Sequence, residues 1–348
     1  MGEQFIYTGS YAGAEQEGVS ALRFAVKNGG LTRQAGLAGM HHPSFVHSNA
    51  AGTRLYVVSE TGAEPGSLFS YAVDAGSGEL TLIHEVSTLG GSPCHITLDA
   101  EQQLILVTNY TGGSISLYAV QTDGSLLLAD HIVHEGRGPR DDRQEAPHPH
   151  SSIIDAANQY VLVADLGTDE LVSYRIDHEA RKLIRQGSTS TAPGAGPRHM
   201  AFSPSGERLY VINELDNTVG LYAYEAVNAE LSLLQVISTL PESFAGESSC
   251  ADIHVRADGR FLYASNRGHD SIAVYRIDEE GRLALVEIVS SGGRTPRNFA
   301  ISPDGQHLLA ANQDSDSIVG YRINKESGRL SPTGQTFETY KPVCIAFV

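Results

Sequence analysis

Short apolar runs with strand-like alternation, rich in Val, Ile, Tyr and Leu and bounded by Gly, Asp, Asn and Pro, follow one another along the whole chain. No segment sustains a 3.6-residue apolar stripe over three turns, so no long helix is predicted. The runs recur as one repeated sentence. Its clearest copies are PRHMAFSPSGERLYVINELDNTVGLYAYE (197–225), CADIHVRADGRFLYASNRGHDSIAVYRID (250–278) and PRNFAISPDGQHLLAANQDSDSIVGYRIN (296–324). Fainter copies begin at Pro43, Pro93 and Pro149. One column of the repeat reads Tyr7, Tyr56, Leu106, Leu162, Tyr210, Tyr263 and Leu309, a period of about 50 residues that is typical of propeller blades. Ser302-Pro303-Asp304-Gly305 is a turn in which Pro presets φ and Gly closes the fourth position.

The first copy starts abruptly at FIYTGSY (5–11), without the segment that precedes the others. The last seven residues, Pro342 to Val348, supply that segment and have no strand partner of their own. A chain whose end completes its beginning closes into a ring, which argues against an open β-solenoid. The prediction is an all-β, seven-bladed β-propeller of four-stranded antiparallel blades, with the C-terminal strand closing the first blade. Residues 1–348 are expected to form one domain, because a propeller is a single ring whatever its length.

Composition narrows the function classes. The net charge of −17 disfavours nucleic acid and anionic membrane as partners. No apolar stretch is long enough to span a bilayer, and MGEQFIYTGS has neither a basic region nor an apolar signal core, so a cytoplasmic location is expected. Cys94, Cys250 and Cys344 are odd in number and fall on different blades, which favours buried reduced thiols over disulfides.

Antiparallel pairing sets the start of each innermost strand beside the end of the second, so both columns surround one mouth of the central channel. The strand starts are Ser44, Cys94, His150, Arg198, Ala251, Arg297 and Val343, followed by Phe45, His95, Ser151, His199, Asp252, Asn298 and Cys344. The second strands end at Tyr11, Glu60, Tyr110, Leu166, Glu214, Arg267 and Gln313. Packing keeps equivalent positions alike, whereas here the fourth to seventh units place His, Arg, Glu and Arg where others have Ser, Leu or Tyr. Divergence inside a regular frame marks a grafted site. Its bland alternative is a set of ion pairs, such as Glu214 with Arg198 or Arg267. The longest unit carries the excess HEGRGPRDDRQEAPHPH (134–150), a loop whose Arg137, Arg140 and Arg143 suit a lid, a phosphate contact or plain solvation. His148-Pro149-His150 lacks an accompanying ligand set, so neither metal nor cofactor is expected. A nucleophile elbow, a Walker A loop and a dinucleotide fingerprint are all missing from the sequence.

PHPHSS (147–152), GPRHMAFSPSG with VINELDNTVGLY (196–222), ADIHVRADGRFLYASNRGHDSIAVYRID (251–278) and TPRNFAISPDG with AANQDSDSIV (295–319) resemble the seven-bladed propeller lactonase family. Bacterial 6-phosphogluconolactonases are its best-known members and the fungal carboxy-muconate lactonizing enzymes are relatives. The resemblance covers essentially the whole chain and implies hydrolysis of 6-phospho-D-glucono-1,5-lactone to 6-phosphogluconate, a step of the pentose phosphate pathway. It implies catalytic roles for His150, Arg198, Glu214 and Arg267. Substrate contacts are expected from His148, His199, His254, Arg297, Asn298 and Gln313, which share the mouth or its strands. A monomer or weak dimer acting on a small sugar lactone is expected. A non-phosphorylated lactone, a muconate-type cycloisomerisation and a non-catalytic interaction propeller remain open alternatives.

Overall fold

The computed structural model describes residues 3–348. Among them are seven four-stranded sheets and one three-residue 3-10 turn, Gln313–Ser315. Six sheets are built from four consecutive strands. The seventh, blade 1, takes its innermost strand, Pro342–Phe347, from the far end of the chain and pairs it with Glu3–Ser10. Tyr7 lies opposite Ala346 and Thr8 opposite Ile345, so the C-terminal strand closes the ring against the first strand of the chain. Blades 2 to 7 then follow in chain order.

The repeat period has a packing cause. Second strands are buried on both faces, as in Leu104–Asn109 and Tyr160–Asp165, so each blade contributes apolar side chains to two inter-blade cores. One such core joins Tyr210, Ile212 and Leu221 of blade 5 to Leu262, Ala264 and Tyr275 of blade 6. The tyrosines of the repeat column add a polar staple. Tyr7 donates to the Gly78 carbonyl at 2.9 Å, Tyr210 to Gly281 at 2.8 Å and Tyr263 to Gly328 at 2.9 Å, each in the next blade. Tyr263→Phe should therefore cost about 0.5–1.5 kcal/mol of unfolding free energy, measured by denaturant titration, with the fold retained.

The innermost strands of six blades, all but blade 2, slip register near their start, and this positions the mouth. Pro149 pairs with Asp165 and Ser151 with Ala164, leaving His150 as the extra residue of a β-bulge. The same slip leaves Arg198 between Pro197 and His199, Arg297 between Pro296 and Asn298, and Cys94 between Pro93 and His95. In blade 1 it leaves Val343. A bulge breaks the strict in–out alternation of a strand. Consecutive residues such as Arg198 and His199 are thereby able to face the same channel.

Candidate active site

The bulge residues converge. Cys94, His150, Arg198, Arg297 and Val343 line one small cavity of about 20 Å³, together with Tyr11, Ser44, Phe45, Glu60, His199 and Asn298. Arg198 is 2% exposed, among the largest fully enclosed side chains of the protein. Its Nε donates to Glu214 Oε2 at 2.9 Å, and its Nη1 donates to the Ala251 carbonyl and lies 3.3 Å from His199 Nε2. Glu214, 3% exposed, also forms an ion pair with Arg267 Nη2 at 2.8 Å and accepts from Arg143 Nη2. One carboxylate thus gathers three guanidiniums.

That arrangement decides what Glu214 can do. Burial would raise its pKa, but Arg267, Arg198 and Arg143 outweigh burial and hold it well below the usual carboxylate range. A carboxylate so stabilised is a poor proton acceptor. Glu214, for which the resemblance implies a catalytic role, does not border the cavity, and its contacts fix Arg198 in place. Arg267 likewise stands behind the cavity wall, with Nη2 also donating to the Cys250 carbonyl at 2.7 Å.

Of the three arginines of the long loop, Arg143 is the one that reaches Glu214. Arg137 instead pairs with Asp141, and Arg140 contacts the Leu215 carbonyl and Asp142. The loop is pinned rather than free to swing. Gln144 is 0% exposed and donates to the Leu166 carbonyl at 2.8 Å and to Asp169 at 2.7 Å. A side chain at Gly167 would collide with the Ala146 carbonyl, so only glycine lets the loop lie this close to blade 4.

His148 does not enter the cavity. Its Nδ1 lies 2.9 Å from the Tyr110 carbonyl and its ring stacks on Tyr110 with centroids 4.4 Å apart, so it buttresses the wall beside His150. Gln313 is also outside: it opens the 3-10 turn, where its amide donates to Asp314 at 3.0 Å. His254 lies deeper, in a second chamber of about 450 Å³ on the other side of the Phe45, His199 and Asn298 partition. Conversely, Tyr11 and Glu60 border the mouth although the sequence assigned them no role beyond their column. Tyr11 Oη donates to Glu60 at 3.1 Å. Arg297 lies over the Tyr11 ring, 5.1 Å from its centroid, and among the described residues its guanidinium forms neither an ion pair nor a hydrogen bond.

The family described as "Lactonase, 7-bladed beta-propeller" matches residues 5–347. The chain belongs to this lactonase family. A 6-phosphogluconolactonase of Bacillus subtilis is 37% identical over 344 residues, 98% of this chain and 97% of the relative. A 6-phosphogluconolactonase of Formosa agariphila is 33% identical, with 82% of each chain covered. Among solved structures, a periplasmic gluconolactonase of Pseudomonas aeruginosa superposes with a TM-score of 0.94 at 32% identity, covering 99% of both chains.

Electrostatics sort the cavity of this lactonase into charged and neutral groups. Burial lowers Arg198, helped by Arg267 and Arg297, to about 10, so it stays a cation at neutral pH. Burial would also lower Arg297, but Tyr11, Glu60 and Glu214 outweigh it and raise its pKa. Burial and the Arg198 charge push His150 well below its ordinary value, and the same two causes lower His199 to about 4. The mouth therefore presents fixed cations beside uncharged imidazoles. Cys94 is a buried thiol pushed up to about 12, chiefly by burial, and is no nucleophile at neutral pH.

Proposed function

We propose that this lactonase hydrolyses 6-phospho-D-glucono-1,5-lactone to 6-phosphogluconate at the mouth built by the bulges. The carrying observation is Arg198, a buried cation held rigid by Glu214 and aimed into a cavity that also contains neutral imidazoles. Opening a δ-lactone requires positive charge at the carbonyl oxygen and a neutral acceptor for the proton of the attacking water. Arg198 supplies the first, and one such donor contributes roughly 2.7–4 kcal/mol in comparable sites. His150 and His199 are the two imidazoles that border the cavity and can exchange that proton. Arg267 and Arg143 act through Glu214, sharing its carboxylate and keeping the guanidinium of Arg198 in line. The step needs no cofactor. The names of the Bacillus subtilis and Formosa agariphila relatives support this substrate, and three buried unpaired thiols fit a reducing cytoplasm.

Arg297 is the proposed phosphate receiver, because its guanidinium is uncommitted and guanidinium forks match phosphate oxygens. The Pseudomonas aeruginosa neighbour, named a gluconolactonase, favours the alternative of a lactone without phosphate. Arg297→Ala separates the two. Steady-state kinetics should show KM for the phosphorylated lactone rising at least ~10-fold, with KM for glucono-1,5-lactone changed less than ~2-fold. Equal changes for both substrates would remove Arg297 from phosphate recognition.

A further inference from the structure

Beneath the mouth, a fully bonded chain of side chains crosses the partition into the lower chamber. His199 Nε2 sits 3.3 Å from Arg198 Nη1. A guanidinium nitrogen only donates, so Nε2 accepts and the ring hydrogen must be on Nδ1. Nδ1 then donates to Asp252 Oδ1 at 2.7 Å. The other carboxylate oxygen, Oδ2, accepts from His254 Nε2 at 2.9 Å, Asn298 Nδ2 at 2.6 Å and the Phe299 amide at 3.2 Å. Asp252 is 2% exposed, whereas the His254 side chain is 41% exposed in the chamber. His150 has no such backing: the contact of its ring nitrogen is the Cys94 sulfur, 3.9 Å away.

We infer that His199 is the catalytic base of the mouth, that Asp252 is its positioning carboxylate, and that His254 sets the strength of that support from the far chamber, an assignment that rests on the lactone-opening reading above. In the reaction, water attacks C1, Arg198 Nη1 turns from His199 Nε2 to the carbonyl oxygen as that becomes an oxyanion, and the freed Nε2 takes the proton of the water. The tetrahedral intermediate collapses, the bond from C1 to the ring oxygen breaks, and His199 returns the proton to that oxygen. The product acid then ionises to solvent. An imidazolium beside Arg198 would be untenable alone. Asp252 behind it and the oxyanion in front supply the compensating charge. The base stands beside the oxyanion donor and is held in one tautomer by a buried carboxylate, which is the same logic as a hydrolase triad reached here on a propeller strand.

Asp252 serves two imidazoles, and that gives the pH signature. Burial lowers the His254 pKa, but the Asp252 carboxylate outweighs it and raises it above the ordinary value. Below that pKa, His254 is a cation that neutralises part of the Asp252 charge, so His199 is a weaker base. As pH rises through it, the full carboxylate charge is returned to His199. The titratable groups around the chamber are His47, His95, His199, Asp252 and Cys344, so Asp252 is the carboxylate facing His254 among them.

The test uses freshly made 6-phosphogluconolactone, with rates taken above the spontaneous rate and divided by folded protein. Asp252→Asn should lower kcat by about 10³–10⁴, the scale for replacing an orienting carboxylate, with KM nearly unchanged. His254→Gln does not touch the mouth and loses only an edge-on contact with Phe299, 4.8 Å between ring centroids, so it should fold. In the parent, kcat/KM should fall with an acidic limb at the His254 pKa, and in His254→Gln that limb should move down by about one pH unit or more. His199→Gln should abolish turnover and His150→Gln should leave a larger residue of it. Superimposable pH profiles for parent and His254→Gln would overturn the assignment even if Asp252→Asn fails to fold. So would folded Asp252→Asn with parental kcat, or loss of turnover in His150→Gln with His199→Gln unaffected. A parent that does not exceed the spontaneous rate overturns the lactone reading and this assignment together, whereas an active parent with unaffected variants overturns this assignment alone.

Discussion

A chain lacking residues 342–348 will not form the cooperative ring. The deleted segment contains the innermost strand of blade 1, with Val343, Cys344 and Ile345 buried. Removing it exposes the inner edge of Glu3–Ser10 and opens cores shared with the neighbouring blades, where Cys344 packs with Tyr7 and Val46, and Ile345 with Ile6 and Leu309. Each fully buried side chain of that size is worth roughly 1.5–3 kcal/mol, and the lost ladder adds unpaired backbone groups to the deficit. Native domains have only about 5–15 kcal/mol to lose. Calorimetry of the truncated chain should show no cooperative transition, or one displaced far below the parent. A truncated chain melting at the parental temperature would show that the closure carries no stability.

The second large effect is at the Arg198–Glu214 centre. Arg198→Ala removes the cation that faces the carbonyl oxygen and should lower kcat by about 10²–10³. Glu214→Gln leaves Arg143, Arg198 and Arg267 close together without their shared anion. Breaking a buried ion pair from one side costs about 3–5 kcal/mol, so this variant should lose both stability and turnover. Turnover per folded molecule, measured with the melting temperature, separates the two consequences. Arg198→Ala with parental kcat would remove it from the reaction. Glu214→Gln with reduced stability but parental turnover would confine Glu214 to holding the fold.

The ring was readable because its cause is repeated seven times: a column of Tyr or Leu in every second strand, and a terminal segment that fits the one place where a strand is missing. The mouth was readable from the same columns, since Arg198, His150 and Arg297 depart from their equivalents in other blades. What the columns did not reveal was the bulge that turns two successive residues toward the channel, because register shifts leave no alternation signature in so short a strand. Nor did they separate Arg143 from Arg137 and Arg140. That choice is made by Gln144, buried between the Leu166 carbonyl and Asp169, which holds the loop so that one arginine alone reaches Glu214. Nor did the columns show what surrounds Glu214. Its residue type suits a base, but three guanidiniums contributed by a distant loop and two blades decide that it is an anchor. Gln313 kept its column but was carried away from the cavity by a local 3-10 turn.

The most direct measurement is base uptake at constant pH on adding the purified protein to freshly made 6-phosphogluconolactone. The bulge-built mouth predicts uptake far above the spontaneous rate, proportional to protein concentration and lost in Arg198→Ala. Uptake at the spontaneous rate, or equal uptake by parent and Arg198→Ala, would contradict the claim that this mouth opens the lactone.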